Sequence, residues 1–437
     1  MLKKGILGVT IMCLSACGST AEDDHGEHEH KETTELTAWY FGSDSTSNSW
    51  NLDISGISDF STLSKSTTFD DLSALSASED LGGNGQGPTW NDALLSSDGK
   101  RIFANARSVN KVAVFDVETR SLETILDVGE RPVHMFNPNH GNEIWVHADG
   151  PGSFYIIDQT TLAVSEPVVA ALEDTGHGKL LYAKELGTKY YATNTNDPGI
   201  FPIDGAARTS GTMIQLCDSP CEDDTETADV DESTETCGGT HDKAYNPVMK
   251  YVVVQCSGSN RGKYAFVDAE TDEVVQDLVE ISGSITHSTS NEYILSINGD
   301  QVQIWDTGKE GHDGIAFDAT VTVDGKPSAR GTVFAQNAQE QWEAWIPQTE
   351  GTKVAILNLT TLEIAYAEIG TLTEPAGASH FSRRAGLVDG KFLSYNDDGT
   401  VLVDMTTREV TLGAALGTLP SRVVGVSQTV HHDDHDS

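Results

Sequence analysis

Five histidines stand in similar surroundings: His134 in RPVHMF, His177 in DTGHGK, His241 in GGTHDK, His287 in SITHST and His380 in GASHFS. Each lies where a polar, turn-rich segment runs into an apolar one. Neutral imidazole ligates Zn²⁺, Cu²⁺ and Ni²⁺, and nothing in the methionine or cysteine usage favours copper. Zinc, held by three or four N or O ligands at Zn–N of about 2.0–2.1 Å, is therefore the metal this pattern predicts. Asp242, beside His241, is a candidate acidic partner. A second group of imidazoles lies at the two ends. AEDDHGEHEHKE (21–32) holds His25, His28 and His30, and HHDDHDS (431–437) holds His431, His432 and His435. Short acidic His-rich tracts read as metal-binding, although the same composition also describes a solvated tether and tail. A flexible arm of exchangeable ligands can collect an ion and pass it to a fixed site. Binding at either place should weaken below about pH 6, because protonated imidazole does not ligate.

Residues so far apart act together only if the fold gathers them, and the sequence is repetitive. VAVFDVETRSLETI (112–125), YIIDQTTLAVSEPV (155–168), YAFVDAETDEVVQDL (264–278), VAILNLTTLEIAYAEI (354–369) and VLVDMTTREVTL (401–412) share one pattern. Three or four apolar residues lead to Asp or Asn, then two residues, Thr, two more, and a second apolar run. Asp or Asn at a turn start and Thr three later bond the turn backbone, so each segment is a predicted hairpin. QVQIWDTGKEG (301–311) is a weaker copy. Upstream of most copies lies another strand pair with Gly, Asn or Asp at its turn, as in ALLSSDGKRIFANA (93–106) and AGLVDGKFLSYND (385–397). Four short strands recurring every ~45 residues, with no sustained helical period, predict an all-β fold, the β-propeller.

The first strand of each unit starts near Trp90, His134, His177, His241, His287, Gly331, His380 and Val423, at steps of 44, 43, 64, 46, 44, 49 and 43. Eight starts predict eight blades, with seven as the alternative count. The long step holds an acidic insert, CDSPCEDDTETADVDESTETC (217–237). The last unit has one strand left, VVGVSQTV (423–430). ELTAWYF (35–41) and SWNLDIS (49–55) must complete it, so strands from both termini close the ring and remove its open edges. First strands line a propeller's channel, which places the histidines around one axis. His134, His177, His241 and His287 come from neighbouring blades and form the expected primary site; His380 lies across the channel, suited to a second, weaker one. The plainer alternative is structural, since a Gly-His near a propeller strand start commonly bonds a turn. Five recurrences in a chain with 14 histidines favour ligation.

The chain opens MLKKGILGVTIMCLSACGST. Two lysines, a short apolar run and Leu14-Ser15-Ala16-Cys17 resemble the signal and lipobox of bacterial lipoproteins. The resemblance implies cleavage before Cys17 and lipidation of its thiol. The expected organisation is a signal (1–16), a His-rich tether (17–34), a propeller (35–430) and a tail (431–437). The expected location is the periplasm or the cell surface, with the lipid as the membrane contact; Gly18 is compatible with the outer membrane. In an oxidising compartment Cys217, Cys221, Cys237 and Cys256 pair. Four cysteines allow three pairings, of which Cys217–Cys221 and Cys237–Cys256 close local loops, and a structural zinc site is the alternative use. The formal net charge of −40 excludes nucleic acid as a partner, because its binding needs Lys and Arg to displace counterions. It suits cations and solubility.

The exported propeller, the His-rich acidic start and the run CGGTHDKAYNPVMKYVVVQCSG (237–258) together resemble the periplasmic β-propeller zinc metallochaperones of the Azt type. In this run a Cys is followed by a His and then by a strand ending in a second Cys. The resemblance implies His241 as a zinc ligand, Cys237–Cys256 as a disulfide, and a zinc solute-binding protein of an ABC importer as partner. The protein is expected to be a monomer and not an enzyme. Two other functions fit an exported propeller. One is an interaction scaffold, with the His tracts incidental. The other is a lactonase or quinone-dependent dehydrogenase, for which Asn91, Asn194 and Asp197 are candidate oxygen ligands of Ca²⁺.

Overall fold

The computed structural model of the protein describes residues 31–44, 49–57, 60, 63–68, 88–138, 141–172, 175–216, 237–247, 249–257, 262–280, 283–287, 293–306, 316–329, 331–373 and 385–432. Its strands form eight antiparallel sheets. Seven are consecutive in sequence, spanning 90–127, 132–169, 178–215, 240–280, 284–322, 333–372 and 386–412. These are blades one to seven, each running from an inner strand outward. The eighth joins both ends of the chain: Pro420–His432 is its inner strand, followed outward by Lys31–Asp44, Ser49–Gly56 and Leu63–Thr68. The protein is an eight-bladed propeller closed by its termini, as the repeat count requires. The compact unit is 34–428.

The repeated turn has a local cause. Asp116 Oδ1 accepts hydrogen bonds from the Thr119 amide and hydroxyl at 2.7 and 2.8 Å. Asp158, Asp268, Asn358 and Asp404 each accept from the amides two and three residues later. Asp204 does the same without a threonine, so the carboxylate rather than Thr defines the turn. The residue four after the Asp or Asn is left-handed every time: Arg120, Leu162, Arg208, Asp272, Leu362 and Arg408 have φ between 53° and 63°. That conformation costs a non-glycine residue about 1 kcal/mol or more, which the paired turn bonds offset.

Several of these left-handed residues also tie their blade to the preceding one. Arg408 Nη2 reaches Glu343 Oε1 at 2.6 Å, and Asp272 pairs with Lys189 at 2.8 Å. Arg208 pairs with Glu143, and Arg120 with Glu35. Each partner lies near the start of the preceding blade's second strand. Between blades the packing is apolar. Where the ring closes, Trp39, Phe41 and Trp50 of blade eight meet Trp90 and Phe115 of blade one, with Trp50 and Trp90 ring centroids 4.6 Å apart. Cys237 and Cys256 form a disulfide in blade four.

Candidate metal centre

The inner strands of blades one to five lie side by side, and their registers decide which residues share a level. The aspartate that ends each third strand serves as a ruler. Asp116, Asp158, Asp204, Asp268 and Asp306 stand opposite Arg101, Glu143, Lys189, Tyr251 and Tyr293 on the second strands. Four residues further along those strands, the inner-strand partners are Asp92, His134, Lys179, the bulge at His241–Asp242, and Ser284. The four described histidines therefore do not share one equivalent position, unlike the expectation from the strand starts. His134 and His241 share a level, and His177 stands two residues before Lys179. His287 ends its strand, opposite Ile294 and three residues beyond Ser284. The reason is physical: pairing register follows the apolar alternation of each strand, not the point at which a polar segment ends. His380, His25, His28, His30, His435, Cys17, Cys217 and Cys221 lie outside the described residues. His431 and His432 end the strand Pro420–His432.

Three of the predicted histidines come together. His134 Nε2 and His177 Nε2 are 3.2 Å apart. The rings of His177 and His241 stack at 29°, with centroids 5.3 Å apart. Behind each imidazole, on its Nδ1 side, stands a carboxylate. Asp149 lies 3.1 Å from His177 Nδ1, Asp242 is 3.1 Å from His241 Nδ1, and Asp92 is 4.0 Å from His134 Nδ1. Asp242, the candidate acidic partner, lies beside His241 Nδ1 and forms an ion pair with Lys179.

Asp149 was not anticipated and organises this wall. It follows the second strand of blade two, its side chain is 4% exposed, and it also accepts from His147 Nδ1 at 3.2 Å. Burial alone would raise its pKa. The hydrogen bonds and charges of His147 and His177 outweigh burial and hold the carboxyl well below the usual carboxylate range. An ionised carboxylate only accepts, so Nδ1 of both histidines carries the proton, and the neutral imidazole of His177 would present its lone pair at Nε2. His147 itself is fully buried, and burial lowers its pKa against the pull of Asp149. It needs Gly178 as a neighbour: a Cβ there would lie 2.6 Å from His147 Nε2. Burial, then the Lys179 charge, push His241 down to about 4 against the opposing Asp242. Burial and Lys179 likewise push Lys243 down to about 7. Asp242, despite its burial, is held well below the carboxylate range by Lys179 and His241.

The histidines open into a cavity of about 430 Å³ that is also lined by Asn91, Arg107, Arg131, Val133, Lys179 and Arg422. Of the other proposed oxygen ligands, Asn194 accepts from the Asn196 amide and Asp197 from the Leu172 amide, while Asn91 donates its Nδ2 to the Val133 carbonyl of the neighbouring inner strand. Among the described residues no group of three or more His, Cys, Asp or Glu stands together at metal-holding distances. The centre is thus a close imidazole pair with a third imidazole stacked beside it.

No family model and no curated protein matches the sequence. Solved structures do. The structure of apo AztD from Citrobacter koseri aligns at 13% identity over 92% of this chain and 100% of its own, with a TM-score of 0.60. A second structure of Citrobacter koseri AztD gives 12%, the same coverage and 0.58. The dihydro-heme d1 dehydrogenase NirN, in complex with DHE, gives 14% identity over 76% of this chain and 67% of its own, with a TM-score of 0.53. This chain shares the AztD fold, an eight-bladed β-propeller closed by its two termini.

Proposed function

We propose that this protein binds zinc as cargo at the imidazoles His134, His177 and His241, and stores it or hands it on. The observation that carries the reading is the His134–His177 Nε2 pair at 3.2 Å. Two nitrogens on a tetrahedral zinc at Zn–N of ~2.0–2.1 Å are separated by ~3.3–3.4 Å, so the pair is already at the spacing of one tetrahedral edge. Carboxylates on Nδ1 are the usual outer partners of zinc-bound histidines; they fix the tautomer and raise ligand basicity. His241, its ring stacked on His177 with centroids 5.3 Å apart, is the candidate third ligand, with a fourth position left open for exchange. The open position and the stacked third ligand suit release better than permanent retention.

On this reading the chain is an exported lipoprotein anchored through Cys17, with residues 18–34 collecting metal for the channel. Its recipient or donor is a zinc solute-binding protein of an ABC importer, which the resemblance of 237–258 and the shared AztD fold support. The role is binding and not catalysis. The test is a zinc titration against a competing chelator dye, on protein starting at Gly18 and on protein starting at Glu35. Both should bind one ion tightly, and the longer should bind more of the additional, weaker ions than the shorter, which keeps the tail 431–437. His134→Ala and His177→Ala should each remove the tight site with the fold intact by circular dichroism. Retention of micromolar or better zinc binding by the double variant would remove the channel from the reading.

A further inference from the structure

The cavity beside the imidazoles is lined by four cationic side chains, Arg107, Arg131, Lys179 and Arg422, against one carboxylate, Asp149. In a chain with a formal charge of −40 this is a local reversal of sign, and it comes from three blades and the closing strand. Arg107 sits in the turn between the second and third strands of blade one, and Arg131 in the segment entering blade two. Lys179 is on the inner strand of blade three, and Arg422 on the inner strand of blade eight.

Structural pairing does not exhaust these cations. The Arg107 side chain is 23% exposed, and its nearest carboxylate oxygen, on Asp149, is 4.0 Å away; Arg131 reaches the same carboxylate at 3.7 Å. Neither distance is a hydrogen bond. Among the described residues neither guanidinium makes one, so two five-donor groups line the cavity with their N–H bonds uncommitted. Arg422 uses its Nε on Asp92 and on the Ala93 carbonyl, both at 3.3 Å. Asp149 already accepts from two imidazoles and cannot satisfy two guanidinium groups as well. Two arginines facing one cavity from different segments suit the bidentate recognition of an oxyanion, and about 430 Å³ lies within the usual size of small-molecule sites.

We propose that the channel mouth binds a small oxyanion, a carboxylate- or phosphate-bearing molecule, through Arg107 and Arg131, with Lys179 and Arg422 contributing charge. The site does not depend on zinc. An oxyanion there would neutralise the cations and satisfy donors that the protein leaves open.

The test is isothermal titration of metal-free protein with citrate and, separately, with inorganic phosphate. Metal-free protein is required because citrate chelates zinc. At least one of the two should bind with a Kd below about 1 mM at low salt, and the affinity should fall several-fold on adding 0.2 M KCl. Tighter citrate identifies a polycarboxylate as the natural class, and tighter phosphate a tetrahedral anion; either outcome supports the site. Arg107→Gln should weaken binding about tenfold or more. Arg131→Gln, a change to a half-exposed side chain that leaves the fold undisturbed, should do the same. The proposal is overturned if neither anion binds at about 10 mM. It is also overturned if the double variant, folded by circular dichroism, binds as well as the parent. Because no zinc is present, failure here leaves the zinc reading standing, and failure of the zinc titration leaves this one standing.

Discussion

At the scale of single residues, the wall of imidazoles is set by carboxylates that touch no metal. Asp149 fixes the tautomer of His177, so Asp149→Asn should keep the shape but remove the charge that makes Nε2 a good donor. Zinc affinity should fall by about 10–100-fold with the fold retained, as read by dye competition. Unchanged affinity would mean that Asp149 serves only folding. His241 gives a pH prediction. Its pKa is lowered by burial to about 4, whereas in the unfolded chain it titrates near 6.5. Between those values the unfolded state holds the extra proton, so stability is present above about pH 6.5 and is lost as pH falls toward 4. A shift of this size corresponds to about 3 kcal/mol at most. Urea midpoints at pH 7 and pH 5 should show a smaller loss for His241→Gln than for the parent; equal losses would refute the assignment. The sequence announced His134, His177 and His241 through their recurrence at strand starts. It did not announce His147 or Asp149, since a histidine inside the apolar run EIWVHA reads as a core residue. Arg107, Arg131 and Arg422 were equally hidden. Each comes from a different turn or strand, and only ring closure brings them to one mouth. The signal that was present is WVHADG, a histidine and an aspartate two apart at the end of a second strand.

At the scale of elements, the hairpin repeat was legible because its cause is local: one carboxylate and two amides. The inter-blade tie was not, because its partner lies about 65 to 85 residues away in most copies and changes sign between blades. Arg408 and Glu343 test its weight. Glu343 is 2% exposed, accepts from Arg408 at 2.6 Å and has one further bond, from Asn337 Nδ2 at 3.2 Å. Arg408→Leu leaves that carboxylate buried without its cation and should cost about 3–5 kcal/mol. Adding Glu343→Gln removes the stranded charge and should recover most of the loss in the urea midpoint. If the single change costs under about 1 kcal/mol, the pair is an exposed-type ion pair and the tie is decorative. The histidine registers show the limit of the same reasoning. The repeat located seven inner strands within three residues and the seventh blade's, at Gly386, six residues after His380, but His287 fell three residues from the level of His134 because nothing in SITHST marks where pairing begins.

At the scale of the whole molecule, the site exists because the ring is closed, and closure rests on one C-terminal strand. Arg422, which lines the cavity, and Val424 and Val426, which pack with Trp39, Phe41 and Trp90, all lie on Pro420–His432. Two truncations separate its parts. Protein ending at Gln428 keeps the inner strand through the last residue of the compact unit and loses His431, His432 and His435. Its melting temperature should stay within about 1 °C of the parent, a change of under about 1 kcal/mol for a domain of this size. Its channel zinc affinity should also be unchanged. Protein ending at Leu419 leaves the strand Lys31–Asp44 as an open edge and uncovers an aromatic cluster. Burying that cluster contributes about 1.5–3 kcal/mol per large side chain, and an unpaired edge invites association with other chains. This form should lose its cooperative transition, bind a hydrophobic dye and elute as aggregate. If it instead melts as a soluble monomer with the parent's zinc affinity, blades one to seven hold the imidazoles without closure, and the ring is not what assembles the centre.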